Sequence, residues 1–469
     1  MDNNCNSEAI VIKKLELLLD TGCLLMSSNA DTARISRNMK RVAAFLGIIE
    51  EDMHIYFNFN ILMVNVCIDG HLYSKYKRCD KHGINMATIT AISKLSWLAI
   101  KEDYSLEQYE EALNEIKNKK NSYTDWEVAA CSGFACGGFC IQFGCDWTAF
   151  FYASIAAMFG MQLKTYLNKK GSNTYVNIAI SAFVATLIAW LFANFSLSTE
   201  VMAAMPDMLA SVLHTDTPWH PLMACTLFIV PGVPIINSVS DMLTNYVQIG
   251  ITRAVITLMF VLSMAFGIAL TIEVCGIDNF VKDLSMIPHH TYLEFSIAAA
   301  ISAMGFATIY NFPKRLLPVL AIGGIIAVCT RNFVNLGPST DNIGLDMGLI
   351  IGSFVGSALI SIICTQAMHW FHMPHHCLSI PCVIPMIPGV LMYRSLFAFI
   401  DMHGIVGEVT VAMYNGIRAT LIILFIAIGL AIPNIFVRRM VTPKRNKKLL
   451  DMVIERQRKH EAATELKQA

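Results

Sequence analysis

The sequence predicts an α-helical polytopic membrane protein: about ten transmembrane helices in two inverted five-helix repeats, with a small N-terminal cytoplasmic α+β domain. Three observations carry that prediction. Of the 469 residues, 55% are hydrophobic and 15% charged, where soluble domains carry about 25% charged residues. From Trp126 onward, roughly ten apolar stretches of about 20 residues follow one another, the length a helix needs to cross a bilayer. Two of these stretches, LFIVPGVPIINSVSDMLTNY (Leu227 to Tyr246) and IPMIPGVLMYR (Ile384 to Arg394), are broken by proline and glycine. Proline removes an amide donor and clashes with the preceding turn. In lipid the freed carbonyls need another partner, so broken backbone survives only where protein or a water-filled cavity covers it.

Residues 1–125 read as a cytoplasmic α+β domain. Helical periodicity runs from Glu8 to Met26. Asp31 can cap a second helix from Thr32 to Leu46, ending at Gly47. Strand-like pieces follow at Met53 to Asn58, Ile61 to Ile68 and His71 to Lys77, and Asp69-Gly70 is a hairpin signal. Helices are expected near Asn85 to Lys101 and Ser105 to Lys119. None of these pieces is long or apolar enough to span.

The membrane stretches lie near 127–145, 148–166, 175–195, 220–245, 253–273, 292–312, 316–334, 344–368, 377–400 and 412–437. Residues 199–213 are too broken for a span and read as an interfacial helix or a loop. The first half is expected at 126–275, the second at 276–440, and a basic cytoplasmic tail at 441–469. Lys164, Lys169, Lys170, Lys314 and Arg315 follow even-numbered spans, and Arg438, Arg439, Lys444, Arg445, Lys447 and Lys448 follow the last. The positive-inside rule then places both termini in the cytoplasm, with Lys282, Arg331 and Arg394 on the other side. The halves echo each other: Gly138-Phe139 matches Gly305-Phe306, Gly160 falls opposite Ala327, and Arg253-Ala254 matches Arg418-Ala419. An odd number of spans per half inverts the second half relative to the first, the usual basis of alternating access.

Broken helices offer amide groups at a half-helix N-terminus for a carboxylate, and unwound carbonyls for an ammonium group. The expected substrate-binding set is Pro231, Gly232, Pro234 and Asn237 facing Pro388, Gly389, Tyr393 and Arg394. Packing kinks are the plain alternative for the breaks, and an interfacial arginine is the alternative for Arg394. Arg253 and Arg418 begin apolar spans and read as interfacial. Asp241, with Asn237, Asn245 and Gln248 on one broad helix face, is the proton-coupling candidate, or else a capping residue at a span end. In the N-terminal domain, Asp31, Thr32, Arg34 and Arg37 form the densest polar cluster: a pocket, a gate, a docking surface, or simply a capped solvated helix.

Other patterns read as structural. His369, His372, His375 and His376 with Cys377 are interrupted by Pro374 and fit a polar connection better than a metal site. Cys136, Cys140 and Cys145 lack zinc-knuckle spacing. The 14 cysteines imply no disulfide framework. The polar N-terminus MDNNCNSEAI has no signal-peptide pattern. There is no P-loop, nucleotide loop or nucleophile elbow, so no cofactor, metal, nucleic-acid partner or enzymatic activity is expected. Association of copies stays open.

Two sets of residues resemble the threonine/serine exporter family in its single-chain form. LLLDTGCLLMSSNADTARISRNMKRVAAFLG (Leu17 to Gly47) is similar to that family's cytoplasmic domain, with an acidic-Thr-x-Arg turn. VPGVPIINSVSDMLTN and IPMIPGVLMYRSL are similar to its membrane motifs. Ser36 departs from a common glutamate. The resemblance implies export of small amino acids such as threonine and serine across the cell's inner membrane, with protons and the lipid bilayer as partners. Two alternatives remain: export of a small dicarboxylate such as succinate, as split two-subunit relatives do, and a hydrolase-like N-terminal domain.

Overall fold

The computed structural model describes residues 2–68, 70–80, 82–277, 290–338, 343–371, 373–400 and 406–468. The N-terminal region contains α1 (Asp2–Ser27) and α2 (Thr32–Phe45), then strands β1 (Met53–Phe57), β2 (Ile61–Ile68) and β3 (His71–Arg78), then α3 (Met86–Lys101) and α4 (Leu106–Asn118). The strands form an antiparallel sheet in the order β1-β2-β3, and Ile68 pairs with His71 across the hairpin. Alternation along β2 buries Leu62, Val64 and Val66. Gly22 lets α1, α2 and β2 meet, because a Cβ there would fall 2.3 Å from Leu62 and 2.7 Å from Met39.

One expectation needs correction here. Cys23 and Cys79 form a disulfide. They are 56 residues apart, but α1 packs along β3 and brings their Cα atoms to 5.6 Å. Cys136, Cys140, Cys145, Cys225, Cys364, Cys377 and Cys382 are buried free thiols, in line with packing as small apolar residues.

The remaining helices are α5 (Asp125–Gln142), α6 (Trp147–Lys169), α7 (Thr174–Leu197), α8 (Thr199–Ala203), α9 (Asp207–Leu213), α10 (His220–Ala224), α11 (Gly232–Leu243), α12 (Val247–Cys275), α13 (Tyr292–Ile309), α14 (Leu317–Asn335), α15 (Leu349–Phe371), α16 (His375–Val383), α17 (Gly389–Ile400) and α18 (Val406–Gln468). Among the described residues, 6 helices are long and apolar enough to cross a membrane. The pair His220–Ile229 and Gly232–Leu243 passes the same test together but is bent by 59°, and makes a seventh if counted as one broken span. The expected count of about ten is therefore not reached by length and hydropathy. α5 opens on Asp125 and Glu127 and is rich in small residues (Ser132, Gly133, Gly137, Gly138), and α6 carries Trp147, Tyr152, Gln162 and Lys164, which lowers their apolar character. The two short helices α8 and α9 occupy the stretch expected to be interfacial or a loop.

Packing follows one pattern twice. α5 packs on α6, α6 on α7, α7 on α12 and α12 on α11, with α10 against α5, α6 and α7. α13 packs on α14, α14 on α15, α15 on α18 and α18 on α17, with α16 against α13, α14 and α15. The two sets join through α5 on α13, α11 on α18 and α12 on α17. Close approach at the α5–α13 contact depends on two glycines. A Cβ on Gly138 would fall 2.3 Å from Ser302 Oγ, and one on Gly305 would fall 2.4 Å from the Cys131 carbonyl. Beside them, Phe139 and Phe306 meet edge to face at 5.7 Å.

Gly138→Ala and Gly305→Ala are each expected to destabilise the protein by about 1–3 kcal/mol, the usual cost of overpacking. Thermal unfolding of the full chain in detergent reads this as a lowered midpoint. Unchanged midpoints in both variants would contradict the close α5–α13 contact.

Candidate functional site

The two interruptions fold alike. α10 is followed by a 3-10 turn at Leu227–Ile229, then Pro231-Gly232 and α11. α16 is followed by a 3-10 turn at Ile384–Met386, then Pro388-Gly389 and α17. In each, the glycine N–H donates back two residues, Gly232 to the Val230 carbonyl at 2.8 Å and Gly389 to the Ile387 carbonyl at 2.9 Å. The breaks lie directly against each other. A Cβ on Gly232 would fall 2.7 Å from Ile387, and one on Gly389 would fall 2.4 Å from Leu227. The cavity between them is about 10 Å³, lined by Phe139, Leu227, Val230, Phe306, Ile384, Ile387 and Gly389. That is about the space one water needs, and every lining residue is apolar or glycine. The breaks are sealed in this conformation.

The polar groups gather elsewhere, at the C-terminal half of α11, where the N-terminal region docks. α1 ends in a left-handed residue, Asn29 at φ +61°. The Ala30 N–H donates to the Leu25 carbonyl at 3.1 Å and the Asn29 N–H to the Met26 carbonyl at 3.0 Å, a Schellman termination with asparagine in the place of glycine. Asp31 then caps α2, its carboxylate accepting from the Arg34 N–H and from Arg34 Nε, both at 2.9 Å. Burial alone would lower the Arg34 pKa, but the Asp31 charge beside it holds it above its ordinary value. Thr32 is thereby the first residue of α2, and its N–H has no partner within the helix.

Asp241 supplies that partner. It accepts from the Thr32 N–H at 2.8 Å and from the Thr32 hydroxyl at 2.9 Å, one on each carboxylate oxygen. Arg253 Nε lies 3.2 Å from the same carboxylate. The other guanidinium nitrogens of Arg253 donate to Asn29 Oδ1 at 2.6 Å and to the Ala30 carbonyl at 2.8 Å. Asn237, one turn before Asp241 on α11, donates to the Asn29 carbonyl at 2.8 Å. Asp241 and Thr32 are fully buried, and Arg253 is 2% exposed. Helix α2 thus meets α11 and α12 through a buried set of charged and polar contacts, in which Arg253 Nε is paired with Asp241 by charge and makes no hydrogen bond among the described residues.

The structure divides the residues singled out by sequence. Pro231, Gly232, Pro234, Pro388 and Gly389 form the sealed crossing. Asn237, Asp241, Asp31, Thr32 and Arg34 come together, with Arg37 at the edge, 4.0 Å from Asp31. Arg394 lies apart from them, partly buried on α17, its Nε without a partner among the described residues. Tyr393 is on α17, and its side chain is outside the described residues. Arg253 is the residue that sequence reasoning passed over. It begins an apolar span, as Arg418 does, but among the described residues Arg418 donates to the Tyr414 hydroxyl on its own helix, at 3.0 Å. A basic residue at the start of an apolar span gave no signal of this role.

Of the histidine run, His372 and the His369 side chain lie outside the described residues. His375 Nε2 lies 3.1 Å from the Ser361 hydroxyl. No group of three potential metal ligands converges among the described residues. Lys282 and the side chains of Arg438, Arg439, Lys444 and Arg445 also lie outside the described residues.

A family model for a threonine/serine exporter matches residues 16–275, more than half of the chain. The chain belongs to the threonine/serine exporter family. A second threonine/serine exporter model matches residues 296–436, so the family's two parts follow one another in this single chain. The chain is 20% identical over 439 residues to "Threonine/serine exporter" of Corynebacterium glutamicum, covering 92% of this chain and 84% of that one. It is 25% identical over 268 residues to "Probable succinate transporter subunit YjjP" of Escherichia coli, covering 56% of this chain and 96% of that protein. The protein of the same name from Klebsiella aerogenes is 24% identical over 264 residues, covering 56% and 93%. No solved structure matches. Family and apolar helices together make this chain a multi-pass membrane protein, and a hydrolase-like N-terminal region finds no support among these relatives.

Asp241→Ala leaves Arg253 buried with no counter-charge, and removing one partner of a buried pair costs about 3–5 kcal/mol. Arg418→Ala is expected to cost less than about 1 kcal/mol, as for an exposed contact. Thermal unfolding of the two variants side by side checks the contrast, and equal losses would mean the Asp241 pair is not structural.

Proposed function

We propose that this chain exports small amino acids, threonine and serine among them, across the cytoplasmic membrane, coupled to protons. The observation that carries the reading is the pair of identically built Pro-Gly breaks pressed together at a dry seam. Its support is the family membership, the twice-used packing pattern and the matching local folds of the breaks. In this reading residues 126–275 and 276–440 are inverted repeats that rock about the Gly232–Gly389 crossing, and the seam opens to one side at a time. The breaks then expose backbone amides and carbonyls to a zwitterion, with Arg394 available to a carboxylate.

The N-terminal region, residues 1–125, and the tail, 441–469, lie on the cytoplasmic side in this reading. Lys169 and Lys314 pair there with Asp125 and Glu127 at the start of α5, as the positive-inside rule favours. Asp241 is the coupling carboxyl. As an anion it accepts from Thr32 and pairs with Arg253. Proton exchange therefore requires the docked α2 to move away, and protonation removes the charge that holds α2 in place.

Export of a small dicarboxylate is the second reading, favoured by the relatives named as succinate transporter subunits, which align with about half of this chain. Flux in proteoliposomes under an imposed pH gradient separates the two. The account expects threonine and serine to move, Arg394→Ala to reduce flux by about tenfold or more, as for loss of a charged hydrogen bond, and Asp241→Asn to lose its response to the gradient. Movement of succinate with no movement of either amino acid would replace the amino-acid reading.

A further inference from the structure

Thr32 is held in an unusual way for a residue at a docking surface. Both of its hydrogen-bond donors, the backbone N–H and the side-chain hydroxyl, go to the two oxygens of one buried carboxylate. The amine nitrogen and the β-hydroxyl of a free threonine stand in the same vicinal relation, N–Cα–Cβ–Oγ. A guanidinium, Arg253, sits against the same carboxylate and grips the Ala30 carbonyl two residues upstream and the Asn29 amide oxygen. Asn237 adds a donor to the Asn29 carbonyl.

These are the three chemistries that a β-hydroxy amino acid requires. The Asp241 carboxylate takes the ammonium and the hydroxyl as it takes the two Thr32 donors; Arg253, whose present partners precede Thr32 in the chain, becomes free for the substrate carboxylate when those residues leave, and Asn237 adds a donor. All lie on α11 and α12, immediately beyond the Pro231-Gly232 break, and all are occupied by four consecutive residues of the chain itself, Asn29 to Thr32.

We propose that the Asp241–Arg253–Asn237 set is a recognition site for β-hydroxy α-amino acids, and that Thr32 occupies it in this conformation as a tethered internal ligand. The inference rests on the amino-acid transport reading for its substrate class. It adds which residues select the hydroxyl and how the N-terminal region restrains them. Free substrate competes with Thr32 for Asp241. A free ammonium carries a full charge where the Thr32 amide carries none, so the substrate has the stronger claim on the carboxylate once α2 lifts. The restraint follows from population: a ligand's apparent affinity falls in proportion to the fraction of protein whose site is open. Serine shares the amine and hydroxyl and competes in the same way. An amino acid without the hydroxyl gives up the hydrogen bond to Asp241 Oδ2, leaving that oxygen only its ion pair with Arg253, and is disfavoured.

The test is calorimetric binding of L-threonine and L-2-aminobutyrate, its analogue without the hydroxyl, to the full chain in detergent. Thr32→Val keeps the shape and loses the hydroxyl, and Thr32→Ala does the same with less bulk. Both should bind threonine about tenfold more tightly than wild type, because a hydrogen bond to a charged group is given up by the internal competitor. Thr32→Ser should bind as wild type does. In the Thr32→Val background, Asp241→Asn should erase the preference for threonine over 2-aminobutyrate. Threonine affinity unchanged in both Val and Ala variants would overturn the proposal, as would a threonine preference that survives Asp241→Asn. Tighter binding in the Thr32 variants without flux in any protein would keep the internal ligand and remove the transport reading. Flux with identical binding in every variant would do the opposite.

Discussion

The carboxylate of Asp241 is the group on which the union of the two parts of this molecule depends. A buried anion is tolerated only when its charge is paired and its lone pairs are satisfied. Asp241 meets both requirements by drawing one partner from each part: Arg253 from the helix that follows it and Thr32 from the N-terminal region. The Thr32 N–H needs an acceptor because it opens a helix, and the positive end of α2 favours an anion there. Each group therefore solves a burial problem of the other. Neither α2 nor α11 could present the same face to lipid or to water without rearrangement.

The crossing of the two breaks has the opposite character. It is closed by Leu227, Ile384, Ile387 and two phenylalanines around a cavity of about 10 Å³, with the two glycines letting backbone approach side chain. An apolar seam between two broken helices has little to hold it beyond packing, so it can part without leaving charges unsatisfied. The charged contact lies on one side of that seam and spans to the N-terminal region. In the proposed account the seam is where the molecule moves, and the Asp241 contact sets whether it can.

Much of this was legible in the sequence because it is written in local chemistry. Proline followed by glycine in an apolar stretch breaks a helix wherever it stands, so both interruptions were evident from Pro231-Gly232 and Pro388-Gly389. Asp31 before Thr32 declared a helix start, and the hairpin at Gly70 and the alternation of Leu62, Val64 and Val66 declared the strands. What escaped was long-range. Arg253 and Asn29 are 224 residues apart, and nothing local distinguishes Arg253 from Arg418. Cys23 and Cys79 gave no pattern because their approach is set by how α1 lies on β3. Nor did spacing show that Asn237, which sequence alignment of the breaks sets level with Arg394, donates to the Asn29 carbonyl. Among the described residues α5 and α6 do not pass as spans by length and hydropathy, because the charged, polar and small residues in them pack against neighbours without being strongly apolar.

The central claim, that Thr32 and Asp241 hold each other across the two parts, is tested most directly by a double-mutant cycle. Thr32→Val, Asp241→Asn and the combined variant would be compared with wild type by unfolding of the full chain. The account predicts a coupling of about 1–3 kcal/mol, as for a hydrogen bond to a charged group between residues in contact. Effects that add to within about 0.3 kcal/mol would show the two residues to be independent, and would contradict the claim.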